Sequence, residues 1–241
     1  MTVLIALTIK TKAQIPNNGF ENWTTVGTHL NPDNWGNLNE VTATANVFTC
    51  LKGTPGSPGT AYLKLISKNV SGMGIVPGIA VCGELSPTTF NPTTGFPYSV
   101  RSQKLTGKWQ HMSASDQGYI DVLLSKWNTT LNKRDTIAYK HTLLGGMVMS
   151  WAAFSISLNY KSGAAPDSAI IFFSASPATP AVSDYLYIDN LAFTGTVVGI
   201  NEKEISEKTF DIFPNPASDI VTLNIDKRNN AYKFGTCFRY A

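Results

Sequence analysis

Between residues 153 and 160 the chain alternates strictly. Phe154, Ile156, Leu158 and Tyr160 are apolar, while Ala153, Ser155, Ser157 and Asn159 are small or polar. Successive side chains of an extended strand point to opposite faces, so this period of two predicts a strand with one face buried. The run SAIIFFS, residues 168–174, is apolar on both faces and predicts a central strand covered on each side. Further strands are expected over 62–67, 119–127 and 185–194. Turn-forming clusters separate them: KGTPGSPGT from Lys52, SPTTFNPTTGFP from Ser86 and KSGAAPD from Lys161. No stretch sustains apolar residues at i, i+3 and i+4, and no internal repeat is present. Many short strands punctuated in this way predict an all-β sandwich.

The pattern also sets boundaries. The apolar run from Val3 to Ile9 falls far short of the roughly 18 residues that a membrane span needs. It reads as the remnant of a secretory signal over 1–13, with cleavage after Ala13; an ordinary first strand is the alternative. The main domain is expected over 14–196. A linker over 197–208 follows, where Glu202, Lys203, Glu204, Glu207 and Lys208 leave no core pattern. A second small β-unit is expected from 209 to 241.

Composition narrows the function classes. Charged residues make up 15% of the chain, below the ~25% of an average soluble domain. The net charge of +3 comes without a basic run, which argues against nucleic acid as a partner. Cys50, Cys82 and Cys237 form no C-x-x-C pair, so a zinc or thioredoxin-type site is not indicated. Cys50 and Cys82 are expected as buried thiols, a disulfide between them being the alternative. His29, His111 and His141 match no metal-ligand pattern, and neither a G-x-S-x-G nor a P-loop occurs. Glycoside hydrolysis needs two carboxylates ~5–9 Å apart; no spacing among Glu84, Asp116, Asp121, Asp135 and Asp167 singles out a pair. No catalytic residue is therefore assigned.

The stretch FDIFPNPASDIVTLNI, 210–225, is a stiff corner followed by a strand. Pro216 pushes Asn215 out of the helical region, Asn215 and Asp219 can hold a turn, and Val221, Leu223 and Ile225 alternate with polar positions. Phe213, Pro214, Asn215, Pro216, Ala217 and Asp219 resemble, residue by residue, the opening of the C-terminal sorting domain of the Bacteroidetes type IX secretion system. The resemblance implies recognition by that machinery and release, or attachment to the outer cell surface. The family continues with an aspartate-glycine turn and a late glycine-tyrosine strand. DKRNNAYKFGTCFRYA keeps neither, so the sorting domain is expected to be truncated, with residues after about 226 poorly ordered.

The main domain carries a second resemblance. NGFENW (18–23), PDNW (32–35), GFPYSVRSQKLTGKWQHM, DQGYIDVLLSKWN, KRDTIAY, FSISLNYKSGAAPDSAIIFFSAS and SDYLYIDNLAFTG occur in order. Together they resemble a carbohydrate-metabolism domain of Bacteroidetes surface proteins, a jelly roll of the carbohydrate-binding-module type. The resemblance implies a galactose-binding-like jelly-roll β-sandwich, glycan association and a secreted or outer-surface location. In related jelly rolls, acids at two of these motif positions hold a structural calcium ion, which carries over to Glu21 and Asp189. If no bulge intervenes, Asp189 shares a strand face with Tyr187, Leu191 and Phe193. A carboxylate there needs a partner: calcium, or backbone N–H groups.

Sugars are held by aromatic faces and by amides or acids that read hydroxyls. Trp35, Tyr98, Trp109 and Trp127 are the aromatic candidates, with Arg101 and Asp116 as polar contacts. For each ring, core packing is the competing reading. The sequence thus predicts a non-catalytic glycan-binding module, with stacking on the concave sheet or at the loop end. A glycoside hydrolase or lyase on the same sandwich and a surface adhesin are the alternatives.

Overall fold

The computed structural model describes residues 14–113 and 117–197, together with the backbone of 210–213 and 222–225. The signal remnant, Asp116 and most of the sorting motif lie outside the described residues. The chain divides into two compact units, Met1–Gly199 and Ile200–Ala241.

The first unit is an all-β, jelly-roll sandwich. It opens with a hairpin of β1 (Trp23–Val26) and β2 (His29–Pro32), then β3 (Trp35–Asn37), a single helical turn α1 (Asn39–Thr42) and β4 (Cys50–Gly53). β5 (Tyr62–Ile66), β6 (Lys68–Val70), β7 (Gly74–Val76), β8 (Ile79–Cys82) and β9 (Phe96–Pro97) follow. The long strands come last: β10 (Lys104–Met112), β11 (Tyr119–Asn128), β12 (Lys133–Leu143), β13 (Val148–Ser157), β14 (Ser168–Ser174) and β15 (Tyr185–Thr194). One sheet runs β13-β10-β15-β5-β4; the other runs β12-β11-β14-β8-β3, with β9 pairing to β14. Every pairing between these strands is antiparallel.

Period-two patterning builds the core between the sheets. Leu63, Leu65, Leu105, Leu186 and Ile188 face inward from the five-stranded sheet. They meet Ile120, Val122, Leu124, Ile171 and Phe173 from the other, all fully buried. The alternation over 153–160 holds: Phe154, Ile156 and Leu158 are buried and Tyr160 packs against the core, although β13 itself ends at Ser157. SAIIFFS is the central strand its sequence predicts. Ala169, Ile171 and Phe173 join the main core, while Phe172 belongs to a second cluster with Leu38, Val70, Val76, Ile79 and Val81. That second cluster covers much of the outer face of the six-stranded sheet.

Two of the longest strands, β10 and β12, are not among those the pattern predicts. In β10 the inward positions are Leu105, Gly107, Trp109 and His111, so a glycine and a histidine interrupt the apolar series. Gly107 faces Phe154 on β13, and a β-carbon there would fall 2.8 Å from the Phe154 ring. The glycine makes room for that ring. In β12, an edge strand, only Ile137 and Ala138 are buried.

Cys50 and Cys82 are free, buried thiols; they stand on β4 and β8, in different sheets. Burial alone pushes both thiols far above their ordinary range, which leaves them unreactive. No helix among the described residues is long and apolar enough to cross a membrane. In the second unit, β16 (Phe210–Phe213) pairs antiparallel with β17 (Thr222–Ile225). The strand expected after the Pro-Asn-Pro corner is therefore not alone: residues 210–213, ahead of that corner, supply its partner.

Candidate functional site

The proposed ligand residues do not assemble. Trp35 is 3% exposed. Its ring stacks on Phe173 at 5.4 Å, and its indole N–H donates to the Pro16 carbonyl at 3.0 Å. It is core, because β3, although the edge strand beside β8, turns this ring inward against Phe173 of β14. Tyr98 is 2% exposed; its hydroxyl is hydrogen-bonded to that of Ser102 and its ring tilts against Phe193. Tyr98 does line a cavity of about 360 Å³ with Ile15, Asn18, Val100 and Phe193, but it offers no open face for stacking. Arg101 donates to the carbonyls of Ser162 (2.7 Å) and Ala164 (2.6 Å) while its guanidinium lies 4.2 Å from the Tyr160 ring centroid. It clamps the loop that leads into β14.

Trp109 points inward from the five-stranded sheet and stacks on Phe154 at 4.8 Å. Trp127 is the exception among the four aromatics: it is 43% exposed. It stands on β11 in the other sheet, with Arg134 6.0 Å from its ring centroid. Its backbone N–H donates to Asp167, which also pairs with Arg134 at 2.7 Å. Asp116 lies outside the described residues.

A different aromatic group does assemble, on the outer face of the five-stranded sheet. The register places Gln110, Tyr187, Lys64 and Leu51 in one row across β10, β15, β5 and β4. Tyr62, facing Gly53, lies to one side of that row and Tyr185, facing Ile66, to the other. Trp151 joins them from β13. Tyr62 meets Trp151 edge-on at 5.1 Å and Tyr187 at 5.3 Å, and Tyr187 stacks on Tyr185 at 4.6 Å. Four rings thus form a continuous, partly exposed surface. With strands ~4.8 Å apart, the five-stranded sheet is about 19 Å across.

Polar neighbours fix the rings. Oriented to satisfy its neighbours, the Gln110 amide accepts from the Trp151 indole N–H (3.2 Å) and donates to the Met149 carbonyl (3.3 Å). The Tyr185 hydroxyl donates to the Met149 sulfur at 3.3 Å. Burial pushes the phenols of Tyr62, Tyr185 and Tyr187 above their ordinary range, so all three stay protonated donors at neutral pH. Gly53 is necessary here. A β-carbon at that position would come within 2.1 Å of the Tyr62 ring, so the ring lies flat over bare backbone. Gln110 and Trp151 lay outside the strands the pattern predicts, whereas Tyr62, Tyr185 and Tyr187 were legible as strand positions. Their outward aromatic character (Tyr185 and Tyr187 alternating with Leu186 and Ile188) was the signal that marked the face.

Glu21 and Asp189 converge on the loop of residues 54–61. Asp189 sits at a β-bulge, where Gly107 alone opposes two residues of β15 and Asn190 takes a left-handed conformation, φ 53°. The bulge resets the alternation, so Leu191 points into the core and Asp189 does not share its face. The Asp189 carboxylate is nonetheless fully buried. One oxygen accepts from the Asn190 N–H at 2.7 Å and the other from the Ser57 N–H. Burial raises its pKa and the charge of Glu21 adds to that, while the two N–H bonds and Lys108 oppose it.

Glu21 is exposed, and it is held below its ordinary pKa chiefly by the Thr60 hydroxyl. The N–H groups of Thr60 (2.8 Å) and Ala61 (3.3 Å) also donate to it. All four carboxylate oxygens already accept from the loop or from Asn190, so a calcium ion here would have to share them with those donors. Backbone or water oxygens would have to complete the shell, since no group of three or more His, Cys, Asp or Glu side chains suited to a metal occurs among the described residues.

Two further carboxylates named from the sequence are engaged separately. Asp121 accepts from the Tyr139 hydroxyl (3.1 Å) and pairs with His141 Nδ1 (2.7 Å) on the outer face of the six-stranded sheet. Asp135 accepts from the Asn128 amide at 2.7 Å.

No protein-family model and no curated protein matches the sequence. Solved structures do match. A candidate glycoside hydrolase from Bacteroides thetaiotaomicron is 15% identical with a TM-score of 0.63, over 78% of this chain and 73% of that one. That likeness shows the fold. Lower similarity extends to a family 16 carbohydrate-binding module (12% identical, TM-score 0.42, 73% of this chain and 96% of that one). It extends also to the K3 adhesin domain of Lys-gingipain from Porphyromonas gingivalis (14% identical, TM-score 0.40, 76% and 100%).

Proposed function

We propose that the domain spanning residues 14–196 binds polysaccharide on the outer face of its five-stranded sheet and breaks no bond. The observation that carries this reading is the ring surface of Tyr62, Trp151, Tyr185 and Tyr187, with Gln110 and Lys64 set among the rings. Tyrosine and tryptophan present large rigid surfaces at low entropic cost. Apolar ring faces and hydroxyl-reading amides are what a pyranose offers partners for. The test is retention on a panel of polysaccharides by affinity electrophoresis. Tyr187→Ala and Trp151→Ala should each weaken binding roughly tenfold, and Trp127→Ala should leave it unchanged. A broad panel with nothing retained would sink the reading.

Glu21 and Asp189 would hold a calcium ion whose role is to pin the 54–61 loop beside β15; it supplies charge neutralisation there and no chemistry on the sugar. The melting temperature should then rise with added calcium and fall on chelation, and no change in either direction refutes the site.

The module is exported by the type IX machinery to the cell surface or the medium. The match of Phe213, Pro214, Asn215, Pro216, Ala217 and Asp219 to the opening of that system's sorting domain supports this, as does the Val3–Ile9 run. Fusing residues 197–241 behind a signal-bearing reporter in a type IX-competent bacterium tests it. Reporter held in the periplasm would count against export by this route.

A further inference from the structure

Resting on the ring surface proposed above, we infer that its ligand is an acidic polysaccharide, one bearing carboxylate or sulfate groups. The inference comes from where the lysines stand. Tyr62, Lys64, Ile66 and Lys68 follow at every second position along one extended run, while Leu63, Leu65 and Ser67 between them are buried. Lys64 therefore leaves the sheet on the same outer face as Tyr62, while Lys68 opens β6, in the separate two-stranded sheet with β7, close enough to Lys64 for the two charges to act on each other. Lys64 occupies the register position between Tyr187 and Leu51, and its ammonium lies 5.4 Å from the Tyr187 ring centroid.

Neither lysine makes an ion pair among the described residues, where the two ion pairs are Arg134–Asp167 and His141–Asp121. Both of those belong to the six-stranded sheet. Lys68 is partly buried, and its ammonium is disfavoured first by that burial and then by the nearby charge of Lys64. Two other cations face this side from β10: Lys104, exposed at the start of the strand, and Lys108, which is spoken for, since it donates to the Ser57 hydroxyl at 3.0 Å and balances Asp189. Asp189 lies on the row of Tyr62, but it is buried and its oxygens are taken by Ser57 and Asn190.

Two neighbouring like charges, Lys64 against the Tyr187 ring and Lys68 partly buried, with no ion pair to either among the described residues, raise the energy of the free protein. An anion bound across them removes that repulsion. A neutral glycan gains only the rings; an acidic one gains the rings and both ammonium groups. Charge alone would not select a sugar, and rings alone would not select an acid. The face carries both within one pleat of each other.

The experiment compares matched polymers by affinity electrophoresis and isothermal titration: polygalacturonate against its fully methyl-esterified form, and dextran sulfate against dextran. Each is run at low and at high sodium chloride. The anionic member of at least one pair should bind about tenfold tighter, as two partly exposed charge contacts would give, and salt should erase the difference. The first pair reads carboxylate and the second sulfate. Lys64→Gln with Lys68→Gln should remove the preference and leave the ring-dependent binding, and Lys64→Arg with Lys68→Arg should keep it. Lys126→Gln with Lys133→Gln, the same change in net charge on the other sheet, should do nothing.

Equal binding of both members of each pair overturns the inference while leaving the ring surface standing. So does a preference that survives the double Lys→Gln change. Anionic binding that Tyr187→Ala leaves untouched overturns it too, since charge would then be acting without the rings. Loss of all binding would remove the ring reading as well.

Discussion

A single methyl group placed under the candidate face tests whether the ring surface is built as described. Gly53 lies opposite Tyr62 in the β4–β5 pair, and an alanine β-carbon there would fall 2.1–2.4 Å from three ring carbons. Carbon atoms in contact sit ~3.5–4.0 Å apart, so the ring must swing away by about 1.5 Å. The displacement pulls Tyr62 off Trp151 and Tyr187, now 5.1 and 5.3 Å away. Each such aromatic pair is worth about 0.5–1.5 kcal/mol beyond its area. Gly53→Ala should therefore cost about 1–3 kcal/mol, read as a lower urea midpoint at unchanged slope. The decisive measurement is the double-mutant cycle. In a Tyr62→Ala background the obstacle is gone, and Gly53→Ala should be close to neutral, giving a coupling of about 1 kcal/mol or more. The single variant should also lose roughly tenfold in polysaccharide affinity, because one ring of the surface has moved. Additive effects in the cycle would show that the ring does not rest on Gly53, and the reading of the face would fall with it.

Other expectations separate core from surface and fix the charge state of the loop site. Trp35→Ala should destabilise by about 3–5 kcal/mol and Trp127→Ala by no more than about 0.5 kcal/mol; similar denaturation midpoints for the two would contradict their placement. Asp189 titrates higher in the fold than in the unfolded chain, so its carboxyl favours folding while protonated. That contribution is present below the ordinary carboxylate range and is lost as pH rises through its raised value. Glu21 has the opposite sign: its pKa is lowered, so its contribution is present above the ordinary range and is lost as pH falls through the folded value. Measured from pH 3 to 7, Asp189→Asn should gain on the parent protein as pH rises in the absence of calcium. A difference that stays flat across that window would refute the assignment.

What the sequence made legible follows from how burial writes itself into side chains. A strand covered on one face alternates, and a strand covered on both faces is apolar throughout, so β13 and β14 could be read directly. β10 could not. Its inward face carries Gly107, where the Phe154 ring fills the space that a side chain would take, and the buried polar His111, which breaks the apolar series. The bulge at Asp189 was equally silent, since one extra residue changes no local composition yet moves Leu191 from one face to the other. The same logic explains why the aromatic candidates were misplaced. Trp35 and Tyr98 were picked for their loop-like neighbourhoods, but loops next to Gly and Pro are also where a chain turns back into its core, and both rings went inside. The rings that stayed out belong to strands, at positions where packing asks only for something that tolerates water. A tyrosine there is not required by the core. Three of them grouped with a tryptophan and an unpaired lysine, Lys64, in the same row as Tyr187 form a pattern that becomes visible only once the strands are aligned side by side. Register across strands is a long-range property, and function on a sheet face depends on it more than on any one strand's sequence.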